Sequence, residues 1–157
     1  MQALPPSPLL SYTKRIAAVI GDVLLQYGAP KELLIPGWTA TITSQIQEAI
    51  QRLTTAIILY PPNVTAQEQL PGAYHTLEQT ITIVTNPTLQ PSSNPPHWDA
   101  YSLAHLIATS LDGVALPPPN SPTPSLALYN LSIKSITHSR DGNNQLATIV
   151  LTTTTQL

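Results

Sequence analysis

The chain has 157 residues, enough for one domain with a sizeable core. Only 9% of the residues are charged and the formal charge is -2, so neither a phosphate-reading surface nor sequence-specific nucleic-acid binding is expected. There are no cysteines, which excludes disulfides and thiolate chemistry, and so few charges leave little repulsion between copies of the chain.

Residues 1–10, with Pro5, Pro6 and Pro8, read as an irregular arm. Its charges follow the prolines instead of preceding an apolar run, so it lacks the order of a signal peptide. The apolar stretch 16–25 is too short to span a bilayer and contains Asp22. Synthesis in the cytoplasm and no membrane partner are the expectations, and the sequons at Asn63 and Asn130 then carry no meaning.

From residue 11 to 26 the spacing of Ile16, Val19, Ile20, Val23 and Leu24 predicts a helix, stopped by Gly28 and Pro30. Gly21 inside it costs about 1 kcal/mol relative to Ala. A connector over 29–41 contains Pro36-Gly37-Trp38, with Trp38 as an apolar anchor. A second helix is expected over 44–53. Ser44 and Gln47 have capping-box spacing, Ile46, Ile50 and Leu53 form a stripe, and Glu48 and Arg52 make an exposed i,i+4 pair.

Residues 55–60 (TAIILY) are apolar on both parities and read as a central strand, ended by Pro61-Pro62. The loop 63–73 is longer than a tight hairpin needs and carries Gln67, Glu68 and Gln69. Residues 74–86 then alternate cleanly. Leu77, Ile81 and Ile83 fall on one parity and Thr76, Glu78, Thr80 and Thr82 on the other, which predicts a strand with one buried face.

The segment 87–96 is a loop by composition, with Ser93 or Asn94 as a cap and Pro95 at the first position of a third helix. Trp98, Tyr101, Leu103, Leu106, Ile107 and Leu111 supply its apolar face, and Gly113 its stop. The proline-rich stretch 116–125 is irregular. A hairpin closes the chain, with strands over 126–138 and 145–157, buried positions Leu131, Ile133, Ala147, Ile149 and Leu151, and a turn at Asp141-Gly142 longer than two residues.

These elements predict an α+β domain in the order α-α-β-β-α-β-β, a mainly antiparallel four-stranded sheet with the helices on one face. The expected core is Ile46, Ile50, Leu53, Ile57, Leu59, Leu77, Ile81, Ile83, Leu103, Ile107, Leu131, Ile133, Ile149 and Leu151.

Motifs for chemistry are missing. There is no glycine-rich phosphate loop, no GxSxG and no HExxH. His97, Asp99 and His105 do not share a helical face, so no metal site is expected, and Glu78 reads as a solvated carboxylate without a partner. Asp112 reads as a helix-end turn residue. The sequence predicts no catalytic residue, no cofactor and no enzyme.

The segments SQIQEAIQRLTTAIILYPP, LPGAYHTLEQTITIVTNP, SLAHLIATSLDG and LYNLSIKSITHSRDGNNQLATIVLTTTTQL resemble, in order and spacing, the tail terminator (tail completion) proteins of tailed bacteriophages and phage-like particles. The resemblance covers residues 43–157, leaving 1–42 as an extra arm, helix and connector within a single domain 1–157. It implies a structural virion protein made in the host bacterial cytoplasm and located in the virion tail. Such proteins form a homohexameric ring on the tail tube protein, end tube elongation and present a joining surface to a neck or head–tail connector protein.

The loop after Pro61-Pro62 reads either as a contact segment, with Asn63, Val64, Gln67, Glu68 and Gln69 at the subunit or tube interface, or as a solvated loop without a partner. Prolines at both ends limit its freedom and lower the entropy cost of ordering it. Two other readings stand beside this one. One is a different tube or neck component. The other is a non-enzymatic ligand-binding module framed by loops 61–73 and 87–96.

Overall fold

The computed structural model describes residues 8–66, 74–89, 99–114, 127–128 and 130–156. Helix α1 is Pro8–Gln26, strand β1 Leu34–Pro36, helix α2 Ile42–Leu53, strand β2 Thr55–Leu59, strand β3 Asn63–Ala66 and strand β4 Tyr74–Thr85. Helix α3, Ala100–Leu111, is followed by strands β5, Ala127–Leu128, β6, Ser132–Asp141, and β7, Asn144–Gln156. The class is α+β as expected, but the sheet has seven strands among the described residues instead of four.

Its spine is the pairing of the two long strands β4 and β7, antiparallel without a register shift from Tyr74↔Gln156 to Thr85↔Gln145. β2 and β3 both lie on the far side of β4, while β6 and β5 lie on the far side of β7. β1 adds to β2 in parallel and is the exception to an otherwise antiparallel sheet. The predicted parity of β4 holds, since Leu77, Ile81 and Ile83 are fully buried while Thr76, Thr80 and Thr82 are only half-buried.

The main core lies between one face of the sheet and helices α1 and α3. α1 contributes Tyr12, Ile16, Ile20 and Leu24; α3 contributes Leu103, Ala104, Ile107 and Leu111. Ile57, Leu59, Leu77, Ile81, Ile83, Ala147, Ile149 and Leu151 oppose them from the sheet, and Leu131 joins the same cluster. Burying side chains of this size stabilises by roughly 1.5–3 kcal/mol each before ordering costs. The N-terminal helix is therefore a full partner in the core.

Expecting all helices on one face was wrong. α2 packs on the opposite face, where Ala49, Ile42, Ile46 and Ile50 meet Ile35 and Ala56. β2 is buried throughout because it has a helix layer on each side. Ile46, Ile50 and Leu53 are consequently half-buried, as is Ile133, while the other ten expected core residues are buried. α2 is a single amphipathic helix at the sheet margin, so its stripe is covered on one side and wetted on the other.

Local details depart from expectation. Helix α1 begins at Pro8, so residues 8–10 belong to it and not to an irregular arm. α2 starts at Ile42 with Thr41 as its N-cap and without a side-chain cap bond, so the Ser44/Gln47 box does not form. α3 is capped by Asp99, whose Oδ1 accepts from Ser102 N at 2.8 Å. The final hairpin turns in two residues, since Asp141 pairs directly with Asn144 and Gly142 takes φ 60. Gly28 and Gly113 end their helices at φ 72 and 73, and Gly21 does not interrupt α1. Expectations on residues 1–7, the loop 67–73, Ser93, Asn94, Pro95, His97, Trp98 and the stretch 116–125 fall outside the described residues.

Candidate functional site

The segment singled out from the sequence as a contact loop begins as a strand. Asn63 pairs with Glu78 and Val64 with Leu77, so β3 continues the line of β2 along the same edge of β4. The two are separated by a bulge. Leu59 pairs with Ile81 and Asn63 with Glu78, which sets residues 60–62 against only Gln79 and Thr80. Pro61 and Pro62 fill the extra length, where neither needs a ladder donor.

Gln79 holds this bulge from inside. Its side chain is fully buried and its Nε2 donates to the Tyr60 carbonyl, while Tyr60 N donates to Thr80 O at 3.1 Å. On the outer side of β2, Gly37 N donates to Leu59 O at 2.8 Å, and a Cβ on Gly37 would stand 2.9 Å from that oxygen. Glycine is therefore required for β1 to lie close to β2. Beyond the bulge no strand among the described residues pairs with the outer side of β3, and Val64 is 38% exposed there. Gln67, Glu68 and Gln69 lie outside the described residues.

The second exposed surface is the face of β4, β7 and β6 that no helix among the described residues covers. It carries Thr76, Thr80, Thr82, Thr148, Thr152 and Thr154, with Ser132 and Thr137 on the margin. Lys134 reaches Glu78 at 2.9 Å, so Glu78 is not the unpartnered carboxylate the sequence suggested. A hollow of about 620 Å³ there is lined by hydroxyls, Asn130 and this ion pair. A smaller groove of about 280 Å³ runs between α2 and β1, floored by Leu34, Ile35 and Ala49 and rimmed by Glu32, Glu48 and Arg52. The predicted Glu48–Arg52 pair is present at 3.1 Å.

Among the described residues, neither surface brings together the parts of an acid–base site. The hydroxyls of the open face have no histidine beside them in the hollow, and its carboxylate is held by a lysine. Asp99, one of the three residues weighed for metal binding, spends both oxygens on Ser102. His105 is exposed on α3, and His97 is outside the described residues. No group of three or more metal-ligating side chains occurs among the described residues. Burial pushes the Tyr12 hydroxyl up, but Tyr12 faces the core and not a surface. Among the described residues no helix is long and apolar enough to cross a membrane.

Among the described residues the arrangement is an open sheet. Its two long edges are the β3 side and the β6 side, and its uncovered face is hydroxyl-rich and nearly free of net charge. The sequence indicated the first edge through its prolines. It did not indicate the second, because an edge strand and an internal strand share the same alternation.

No protein-family model matches the sequence, and no curated protein matches it either. Among solved structures, a chain from the virion of a native gene transfer agent (GTA) particle is similar in fold. The TM-score is 0.50 at 15% identity, over 68% of this chain and 72% of that one.

Proposed function

We propose that this chain is a structural component of a phage-like virion. In this reading it is a tail terminator: copies close into a homohexameric ring on the tail tube, end its elongation and present the joining surface to a neck or head–tail connector protein. The observation that carries the proposal is the fold shared with a chain of the GTA virion over about two thirds of both chains. The element order that resembles tail terminators points the same way. A role built on contact also suits a surface whose exposed features are sheet edges and a hydroxyl-rich face.

The contact assigned to the ring or tube is the β3 edge, with Asn63 and Val64, together with Gln67, Glu68 and Gln69 that follow it in sequence. The test is deletion of the gene in cells that make the particle, followed by electron microscopy. Tails of uncontrolled length, or tails that fail to join heads, are expected. Particles with tails of normal length and normal joining would sink the reading.

A further inference from the structure

We propose that the free edge of β6 in one copy accepts β3 of the next copy as an added antiparallel strand, making one sheet continuous through the assembly. This rests on the ring reading above and names its subunit contact.

The β6 edge is covered at one end and open at the other. Gly113 N donates to Leu131 O at 2.8 Å, Leu131 N to Val114 O at 3.0 Å, and Ile133 N to Asp112 Oδ1 at 3.2 Å. The end of α3 thus covers the start of the strand. From Ser135 to Asp141 no strand among the described residues pairs with the outer side of β6. Such an edge is a template for another strand.

The two free edges match in parity. A two-residue hairpin loop closes on a hydrogen-bonded pair, here Asp141↔Asn144. Alternation then directs Ser139, Thr137 and Ser135 inward to β7 and turns the N–H and C=O groups of Ile136, His138 and Arg140 to the free edge. On β4 the even-numbered residues serve β2 and β3, as the bond from Tyr60 N to Thr80 O shows. Asn63 and Thr65, paired with Glu78 and Thr76, therefore face β4, and Val64 faces outward.

The outward residues on both edges carry their side chains to the helix-covered face. Val64 is level with buried Leu77, and Ile136 with buried Ile149. Directly opposed residues in an antiparallel ladder project to the same side. Joining β6 to β3 therefore keeps the helices of both copies on one side of a common sheet. Val64 and Ile136, 38% and 36% exposed, are the large exposed apolar side chains that the sheet carries among the described residues, one at each edge.

Direction fits as well. β6 runs with β4 and against β3. Copies rotated about an axis along the strands keep these directions, so β6 of one meets β3 of the next antiparallel, a head-to-tail contact of the kind a ring needs. Among the described residues the open slot runs from Pro61 to Ala66, because β1 covers β2 as far as Leu59 and Gly37 lies against Tyr60. With Ile136 or His138 opposite Val64, neighbours are staggered by four or six residues along β4, roughly 13–20 Å, which suits tilted strands in a closed sheet.

The chain has no cysteine, so paired cysteines test the contact directly. The Val64→Cys/Ile136→Cys and Val64→Cys/His138→Cys variants would be oxidised both as purified full chain and in particles. Opposed ladder positions lie within disulfide reach, and all these positions are exposed. At least one pair is expected to link chains into a ladder extending past the dimer, whereas Val64→Cys/Thr137→Cys, with Thr137 on the opposite face, should not. Rings of normal size without a ladder overturn the strand contact and leave the ring reading standing. Equal linking through Thr137, or covalent dimers from Ile136→Cys alone, also overturn it. Monomers in both solution and particles overturn the contact and the ring reading together.

Discussion

Lys134 Nζ lies 2.9 Å from Glu78 Oε2, joining β6 to β4 across the whole width of β7. The lysine occupies the register shift between Ile133 and Ser135, and on the opposite side of the same bulge Asp112 takes the Ile133 N–H. The side chains are 57% and 35% exposed, so water screens the pair. Lys134→Met is expected to cost less than about 1 kcal/mol in urea denaturation. A loss of several kcal/mol would mean that the bulge itself depends on the pair.

The two helix layers predict unequal sensitivity. Ile81 is fully buried in the main core, so Ile81→Ala should cost roughly 2–5 kcal/mol. Ile46, half-buried on the sheet-facing side of α2, should cost distinctly less on the same substitution. Equal losses in chemical denaturation would contradict the layer assignment.

Tyr12 predicts an alkaline limit. Its ring is buried among α1 and its neighbours, and its hydroxyl has no hydrogen-bond partner among the described residues. Burial raises its pKa above the ordinary value, with the Arg15 charge opposing the shift more weakly. A folded pKa above the unfolded one contributes stability that is fully present below about pH 10 and is lost as pH rises past that value. Tyr12→Phe should be close to neutral at pH 7 and should flatten the loss of stability above pH 10. A variant with an unchanged alkaline slope would rule Tyr12 out as its source.

Thr54 carries backbone strain. It ends α2 at φ 64, the one non-glycine residue at positive φ among the described residues, and its N–H bonds Ile50 O at 3.0 Å. A β-branched side chain is disfavoured there by roughly 1–2 kcal/mol. Thr54→Gly should therefore raise stability by up to about 1 kcal/mol, read as a higher midpoint at unchanged slope in urea. A clear loss would mean that the packing of its side chain, 9% exposed, outweighs the strain.

Much of this architecture is written locally. The alternation of Leu77, Ile81 and Ile83, and of Ala147, Ile149 and Leu151, was enough to say which side of β4 and β7 is buried. Gly28, Gly113 and Gly142 marked three chain reversals because each occupies a positive φ. The stripe of α2 likewise declared a buried side. Side-chain periodicity records which face of an element avoids water, and it does so residue by residue.

Which element supplies the cover was decided only in three dimensions. The stripe Ile46, Ile50 and Leu53 is compatible with either sheet face, and the crossover from β1 to β2 placed Ile46 and Ile50, with Ile42, opposite α1 and α3, while Leu53 packs against the main core. β1 and β3, with three and four residues, are too short to show a period and exist because β2 and β4 offer them ladders. Glu78 and Lys134 stand 56 residues apart in the chain and meet only through the pairing of β4, β7 and β6. The candidate contact has the same origin. Asn63 and Val64 were visible as a proline-bounded segment, but the open edge of β6 follows from strand order, and strand order is a long-range pairing that no local pattern of side chains encodes.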